Sequence, residues 1–300
     1  MLRKIALKRS LAPRSSTVWL PQAVATAFRE SPTIACDHAN FSSAESFPLG
    51  TALTLSTADR FTVRSAVAPL LGDARISAPL TSQLLAGEVL QLVDGRGDWL
   101  HVRGADEYEG WTHVGFLMPF TGTEATWRIS LGCATRDADG QRRALPLGAR
   151  LMPGHELLEG VAIDPAARAS QFPRDRDAII RSARSWFSGA SYLWGGVTPW
   201  GVDCSGFVQR IFALHGVPLR RDAWQQAEDT VLVSDDVTAA HLPGDLLFFS
   251  DRDDKRITHV GIGTGSGGMI HSSLARGGTY EEEALSAKMR EQGIGIRRAM

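Results

Sequence analysis

Cys204 is the residue of this 300-residue chain whose surroundings best suit nucleophilic chemistry. It stands in the run Asp203-Cys204-Ser205-Gly206, directly before an apolar stripe that predicts a helix from there to Leu214. A group at the start of a helix lies beside free backbone N–H groups and the positive end of the helix dipole, which favour an anion. A thiol placed there can have its pKa lowered from about 8.5 toward roughly 3.5–7.5. We therefore expect Cys204 to be a nucleophile.

The other two cysteines, Cys36 and Cys133, are interpreted differently. A free cysteine usually behaves as a small buried hydrophobe, and that role is expected for both. For Cys204 the polar neighbours and the following glycine argue against the role of a buried hydrophobe. Three scattered cysteines also suit neither a disulfide framework nor a paired-cysteine zinc site.

A nucleophilic cysteine needs a base, and the base needs an orienting group. His259 and His271 flank a glycine-rich turn, and a hairpin centred on Gly265 would place positions 259 and 271 directly opposite each other. Facing side chains of an antiparallel pair lie on one face, with Cβ atoms about 4.5–5.5 Å apart. The small Gly261 and Gly263 would leave that face open for the start of the cysteine helix. The spacing predicts a Cys-His-His triad, with one imidazole holding the tautomer of the other.

Two alternatives use the same residues. One histidine could be an exposed side chain and the other a hydrogen-bonded core residue. A zinc site of one cysteine and two histidines would need a fourth ligand and a typical local spacing, and neither is evident. Structural roles are expected for the remaining histidines, which are His38, His101, His113, His155, His215 and His241.

The elements that must position these residues indicate an α+β protein. Residues 1–60 show no sustained period and are predicted to be an irregular arm; 61–121 carry short apolar runs broken by turns, typical of a small all-β barrel. Residues 122–170 repeat that texture more weakly, around a turn at 137–140. Residues 171–300 place helices first and a sheet second.

Individual elements follow from periodicity and turn residues. Strands are predicted near 74–78, 89–93, 99–102, 110–114, 245–250, 259–264 and 268–272. Helices are predicted over 175–187, 204–214 and near 222–229.

Five short motifs in this order resemble those of the NlpC-type cell-wall peptidases, which are papain-like enzymes. The motifs are Tyr192-Leu193-Trp194-Gly195-Gly196, Asp203-Cys204-Ser205-Gly206, Pro243-Gly244-Asp245-Leu246, Thr258-His259-Val260-Gly261-Ile262 and Met269-Ile270-His271. The resemblance covers roughly 175–300. The upstream region resembles bacterial SH3 domains, as in the SH3-containing γ-D-glutamyl-L-diamino-acid endopeptidases, through the stretches 81–88 and 106–111. The resemblance implies an SH3-like domain over 61–121, a second, divergent one over 122–170 and the peptidase domain over 171–300.

The resemblance implies a role for each matching residue. Cys204 would be the nucleophile, His259 the base and His271 the orienting member. The SH3 module would close one end of the site and bind the free amine of a terminal L-alanine. Carboxylate and aromatic groups suit an ammonium, so the substrate-binding residues expected are Tyr192, Asp203, Ser205, Glu88 and Tyr108.

Composition excludes several other classes. The chain is 43% hydrophobic and 22% charged with a formal charge of −1, which is ordinary globular composition without the basic excess that nucleic acid or anionic membranes attract. No apolar run reaches the roughly 18 residues of a membrane span. The basic start and Ala25-Thr26-Ala27 fit a secretory signal poorly because the apolar stretch between them is short. We expect a cytoplasmic monomer without cofactor or metal, with a periplasmic or envelope location as the alternative.

The function expected is hydrolysis of the bond between D-glutamate and a diamino acid, meso-diaminopimelate, in peptidoglycan stem peptides or muropeptides. A catalytically inactive SH3 protein that binds peptidoglycan is the alternative from another class. A thiol acyltransferase is a third, but it would need an apolar acyl site that the sequence does not reveal.

Overall fold

The computed structural model of the chain describes residues 60–137 and 139–300. The expectations for the N-terminal arm, including the signal-like run and Cys36, lie outside these residues. In the described part, no helix has the length and apolarity needed to cross a bilayer.

The first β region forms a seven-stranded antiparallel sheet in the order β3-β2-β6-β5-β4-β1-β7. Its strands are β1 Arg60–Val63, β2 Val67–Leu71, β3 Leu80–Leu85, β4 Val89–Arg96, β5 Trp99–Arg103, β6 Glu109–His113 and β7 Leu117–Pro119. Alternate apolar residues of these strands, including Val63, Leu90 and Val102, point into one buried cluster.

The predicted strand at 74–78 is wrong, since these residues form the turn between β2 and β3. The Asp73 carboxylate accepts the backbone N–H of Ala74 at 2.8 Å, and Ile76 is 89% exposed. An aspartate that bonds the backbone next to it stabilises a turn, and this local bond outweighs the apolar character of the run.

A second sheet follows, with four strands: β8 Arg128–Arg136, β9 Arg142–Leu145, β10 Arg150–Leu151 and β11 Glu156–Ile163. The expected turn near 137–140 connects β8 to β9, where Asp137 and Gln141 face each other through a backbone hydrogen bond of 2.9 Å. Cys133 is buried in the core of this sheet, the role expected for it.

The C-terminal region is built from five helices and a six-stranded sheet in the order β14-β19-β15-β16-β17-β18. The helices are α1 Arg168–Gln171, α2 Arg176–Trp186, α3 Cys204–Leu214, α4 Ala223–Glu228 and α5 Ala287–Glu291. The strands are β12 Val197–Thr198 and β13 Gly201–Val202, which pair with each other, and β14 Val231–Ser234, β15 Leu246–Phe249, β16 His259–Gly263, β17 Met269–Ser273, β18 Gly278–Glu282 and β19 Gly293–Arg298. The α+β class and the three helices expected from periodicity are confirmed.

Helix α3 is the centre of this region. Its residues Phe207, Val208 and Ile211 are fully buried and belong to the same apolar cluster as Val260 and Ile270 of the sheet. Burying each such side chain contributes roughly 1.5–3 kcal/mol. Packing of α3 against β16 and β17 therefore fixes where its first turn meets the sheet.

Gly206 allows that first turn to approach the preceding loop. A Cβ atom built on Gly206 would lie 2.2 Å from the carbonyl oxygen of Gly196. We expect Gly206→Ala to lower the free energy of unfolding by about 1–3 kcal/mol, since overpacking here displaces backbone. Gly72→Ala is the matched control, because its Cβ would meet Thr81 at an ordinary 3.5 Å. Urea unfolding of the two variants checks the prediction, and equal midpoints would contradict it.

Candidate active site

Cys204 is the first residue of α3, and its thiol lies at the backbone of β16. The N–H groups of Val260 and Ser205 bond the sulfur and lower the pKa of the thiol. Burial acts in the opposite direction and is the larger effect, so that together with the charge of Asp203 it raises the thiol pKa to about 12. The lowered pKa expected from the helix start alone is therefore wrong for the free protein, because that argument leaves out desolvation.

The two histidines come together, although not in the expected register. The observed pairs are Ile262 with Ile270 and Gly263 with Met269, so the hairpin is centred on position 266 and not on Gly265. This difference moves every partner by two residues. Because side chains alternate with a period of two, a shift of two keeps both histidines on one face and makes them diagonal neighbours.

A single hydrogen bond joins the two imidazoles. His259 Nε2 lies 2.7 Å from His271 Nδ1, and the ring centroids are 5.0 Å apart at 75°. Burial lowers the pKa of His259 to about 4 and the pKa of His271 to about 3, so both rings are neutral near pH 7. Since Nε2 of His259 is used by this bond, its Nδ1 is the nitrogen left to exchange a proton with a thiol.

Gly261 and Gly263 lie on the face of β16 opposite the body of α3, whereas the thiol at the helix start meets the backbone of Val260, the residue after His259. Val260 and Ile262 face the helix, whereas His259 alternates with them and its ring lies 5.9 Å from that of Phe249. The expectation that glycines open the histidine face for the helix is wrong. A Cβ on Gly261 would instead meet Met269 at 2.7 Å and His271 at 3.2 Å, so this glycine makes room for the partner strand.

Asp203, directly before the cysteine, is held by a buried arginine. Arg221 is 1% exposed and donates Nη2 to one Asp203 oxygen at 2.6 Å and Nη1 to the other at 3.1 Å. The same carboxylate accepts the N–H groups of Gly206 at 2.7 Å and Gly195 at 2.9 Å. The Ser205 hydroxyl donates as well, at 3.3 Å, so that five donors meet this carboxylate, which caps α3 and fixes the preceding loop. Its expected role in binding a substrate amine stays a prediction.

Arg221 also connects the first β region to the helix start. Its Nε donates to Ser82 Oγ of β3 at 2.9 Å, and Nη1 donates to Ser205 Oγ at 2.9 Å. Tyr108 of the β5–β6 connection donates to Asp222, the next residue along the chain, at 3.2 Å. Ser205 and Tyr108, both expected in the site, are thus gathered around one guanidinium. Nothing in the local sequence distinguishes Arg221 from its neighbour, so it was not anticipated.

Glu88 is not brought to the thiol. Its carboxylate accepts the N–H of Leu85 at 3.1 Å and Nη1 of Arg210 at 2.9 Å. Arg210 is six residues beyond Cys204, about 9 Å further along the helix axis. Glu88 thus holds the β region against the second half of α3, and its expected contact with substrate stays a prediction.

Tyr192 lies beside the cysteine, as expected. The charges of Cys204 and Asp203, added to the larger effect of burial, raise the pKa of its hydroxyl. Its backbone N–H donates to Gly277 at 2.8 Å, which fixes the loop leading into β18. The indole of Trp194 packs edge-on at 6.3 Å and is 70% exposed, so an aromatic rim borders the thiol.

Metal binding finds no support in the described ranges, since they contain no group of three or more His, Cys, Asp or Glu side chains placed to hold an ion. The arrangement that remains can perform acyl transfer through a thiol. It contains a nucleophile at a helix start, a neutral imidazole able to accept its proton and a second imidazole that orients the first.

Comparison with known proteins agrees with this chemistry. Residues 189–298 match the NlpC/P60 family, and residues 70–114 match the bacterial dipeptidyl-peptidase SH3 domain. The chain is 42% identical over 109 residues to a γ-D-glutamyl-L-lysine dipeptidyl-peptidase of Bacillus subtilis, which is 36% of this chain and 35% of that protein. It is 27% identical over 237 residues to a protein of the same name from Bacillus cereus, 65% of this chain and 68% of the other.

A solved structure extends the likeness to the fold. An NlpC/P60 family protein from Bacillus cereus superposes with a TM-score of 0.67 at 20% identity, over 80% of this chain and 99% of the other. At that identity the comparison concerns architecture alone. The resemblance indicated by the sequence motifs is confirmed for both the C-terminal region and the SH3 region.

The Arg221–Asp203 pair gives a stability prediction. Arg221→Met leaves the Asp203 carboxylate buried without its cation, which costs about 3–5 kcal/mol of unfolding free energy. Arg220→Met is the matched control; Arg220 pairs with Glu228 and Asp229 at the surface, where loss costs about 0–1 kcal/mol. Urea unfolding measures both. Combining R221M with Asp203→Asn should recover part of the loss, and an additive double variant would contradict the coupling.

The buried histidines give a pH prediction. In the unfolded chain His259 becomes protonated below its ordinary pKa of about 6.5. In the folded protein it stays neutral until the pH falls to about 4. Stability is therefore complete above pH 6.5 and falls as the pH drops toward 4, by on the order of 3 kcal/mol. His259→Gln should flatten this part of the curve. Urea midpoints of both proteins between pH 4 and 7 test this, and parallel curves would count against it.

Proposed function

We propose, from the premise that the chain carries an NlpC/P60 domain behind a bacterial SH3 domain, that this protein is a cysteine peptidase of cell-wall peptides. The observation that carries the proposal is a buried helix-start thiol bonded by the N–H of Val260, the residue directly after a histidine that is hydrogen-bonded to a second histidine. The 2.7 Å bond between His259 and His271 leaves one His259 nitrogen free for the thiol. The related proteins named as γ-D-glutamyl-L-lysine dipeptidyl-peptidases support the same reaction class.

The reaction begins with a neutral thiol and a neutral imidazole. Cys204 attacks the scissile carbonyl carbon while its proton moves to Nδ1 of His259, which forms a tetrahedral oxyanion and an imidazolium. Backbone N–H groups at the start of α3 stabilise the oxyanion. The imidazolium then gives its proton to the leaving amine, the C–N bond breaks and a thioester remains. Water, deprotonated by the same imidazole, hydrolyses that thioester and restores the thiol.

The substrate bond we propose is the amide between the γ-carboxyl of D-glutamate and a diamino acid, meso-diaminopimelate, in a stem peptide. Because Asp203 and Glu88 are engaged by arginines, the peptide's amine end is assigned to the side lined by Tyr108, Ser205 and Tyr192. Ser82 and Tyr108 of the SH3 region border this side through Arg221 and Asp222. Action on released muropeptides would fit the cytoplasmic location expected from the N-terminal sequence.

A non-catalytic protein that binds peptidoglycan is the rival from another class. Such a protein would bind peptidoglycan through the same SH3 region, and its thiol would take no part in a reaction. The hydrogen bond between His259 and His271, next to a buried helix-start thiol, favours an enzyme, because a binding protein has no need of it.

Cys204→Ala should abolish cleavage of L-Ala-γ-D-Glu-meso-diaminopimelate. The free energy of unfolding, measured with urea, should stay within about 1 kcal/mol of wild type, since only one sulfur atom is lost from a buried site. Cys133→Ala is the matched control, being a buried cysteine of the second sheet, and should retain activity. Product release is measured by mass spectrometry. Cleavage by C204A would eliminate the peptidase proposal, and wild-type inactivity on every stem peptide tried would favour the binding protein.

Substrate ends provide a second test. We expect acetylation of the N-terminal alanine to lower kcat/KM by about 10²–10³-fold. Acetylation removes the charge and hydrogen-bond donors of the ammonium group and leaves its buried partners in the protein unpaired. The paired comparison of diaminopimelate and L-lysine peptides identifies the diamino acid. Equal rates of cleavage with free and acetylated alanine would contradict a substrate site that binds the free amine.

A further inference from the structure

Glu282 places a carboxylate against the far side of the histidine pair. Its Oε2 lies 3.5 Å from Nε2 of His271, with the two side chains 13% and 1% exposed. Both atoms are fully buried, and within the described part of the chain neither has a hydrogen-bond partner. The sequence motifs did not include this residue.

Strand pairing explains how the carboxylate arrives there. β17 and β18 are antiparallel, with Met269 opposite Glu282 and His271 opposite Tyr280. Facing residues share a face, so Glu282 and His271 are diagonal neighbours on the same side of the sheet. His259 lies on that side as well. The neighbouring Glu281 faces the other way and pairs with Arg184 of α2 at 2.7 Å.

Burial makes this carboxylate costly unless a donor meets it. A buried acceptor without a partner costs about 1–3 kcal/mol, and an ionised one costs more. The Nε2–H tautomer of His271 supplies a donor in the right direction. A separation of 3.5 Å exceeds a formed N–H···O bond of about 2.7–3.2 Å, and a shift of a few tenths of an ångström closes it.

We propose that Glu282 is a positioning residue of the site: its carboxylate accepts the Nε2–H of His271 and so fixes the proton arrangement of both histidines. With Nε2 of His271 protonated, its Nδ1 accepts the Nε2–H of His259. Nδ1 of His259 is then an unprotonated acceptor facing the thiol. This inference rests on the proposed thiol chemistry and adds a fourth member to it.

The negative charge has a second consequence. Transfer of the thiol proton to His259 creates an imidazolium, and Glu282 stabilises that cation through His271. At an effective dielectric constant near 20, a charge about 8 Å away changes such an equilibrium roughly thirtyfold. No atom other than this proton moves in the transfer.

Other charged or titratable groups also lie near His259 and His271, and the variants that test Glu282 must leave them unchanged. Asp251 and Asp203 raise the pKa of His259, and Arg276 lowers the pKa of His271. Tyr280 packs its ring 4.4 Å from that of His271, with Arg276 over its other face at 4.4 Å. None of these contacts involves Glu281. A change at 282 can therefore be compared with a change at 281 on the same strand.

The experiment is alkylation of Cys204 by iodoacetamide in the full chain, located by peptide mass mapping. Variants are Glu282→Gln, Glu282→Asp and the matched control Glu281→Gln, which loses the Arg184 pair on the opposite face. The readout is the ratio of the labelling rate near pH 7 to that near pH 10 in the same protein. Near pH 10 hydroxide removes the thiol proton from a fraction of the molecules without help from the imidazole, so the ratio reports the contribution of the histidines near pH 7.

We expect the ratio to fall about thirtyfold in E282Q, to be partly restored in E282D, and to stay within twofold of wild type in E281Q. An unchanged ratio in E282Q, or an equal fall in E281Q, would overturn the proposal. Stem-peptide cleavage is assayed separately on the same proteins. A wild type that labels rapidly near pH 7 but cleaves no peptide would remove the proposed function and leave the role of Glu282 standing.

Discussion

The buried pair of Arg221 and Asp203 is the interaction on which the site depends. One guanidinium contacts the helix cap, Ser205 of the first helical turn and Ser82 of the SH3 region. A buried ion pair gains little over apolar packing, but breaking one side of it is expensive. Its value here is geometric, because it ties three segments that are distant in sequence to the residue next to the thiol.

Burial governs the proton chemistry more than the helix start does. Desolvation raises the pKa of the Cys204 thiol and lowers that of both histidines, so each group is neutral in the free protein. A neutral pair is compatible with catalysis if the proton is transferred as the carbonyl is attacked. Fixed N–H groups, the second imidazole and a carboxylate beyond it then stabilise charge at the moment it develops.

The first β region contacts the catalytic helix α3 at two places. Ser82 and Tyr108 reach toward the start of α3, whereas Glu88 reaches its second half through Arg210. Contacts at both ends of one helix fix its axis relative to the SH3 sheet. A module held in this way can border a substrate cleft with side chains that the peptidase region does not provide.

The sequence by itself determined the local chemistry: the Asp203-Cys204 helix start, the histidine hairpin, the core stripe of α3 and the α+β class. These follow from short-range periodicity and turn residues, which act within a few positions. The tertiary structure decided the register of the hairpin, the turn at 74–78, the engagement of Asp203 and Glu88 by arginines, and the direction of the thiol pKa. The contacts with Arg221, Arg210 and Glu282 join residues that only folding brings together, and desolvation depends on everything that surrounds a group. No spacing along the chain encodes either one.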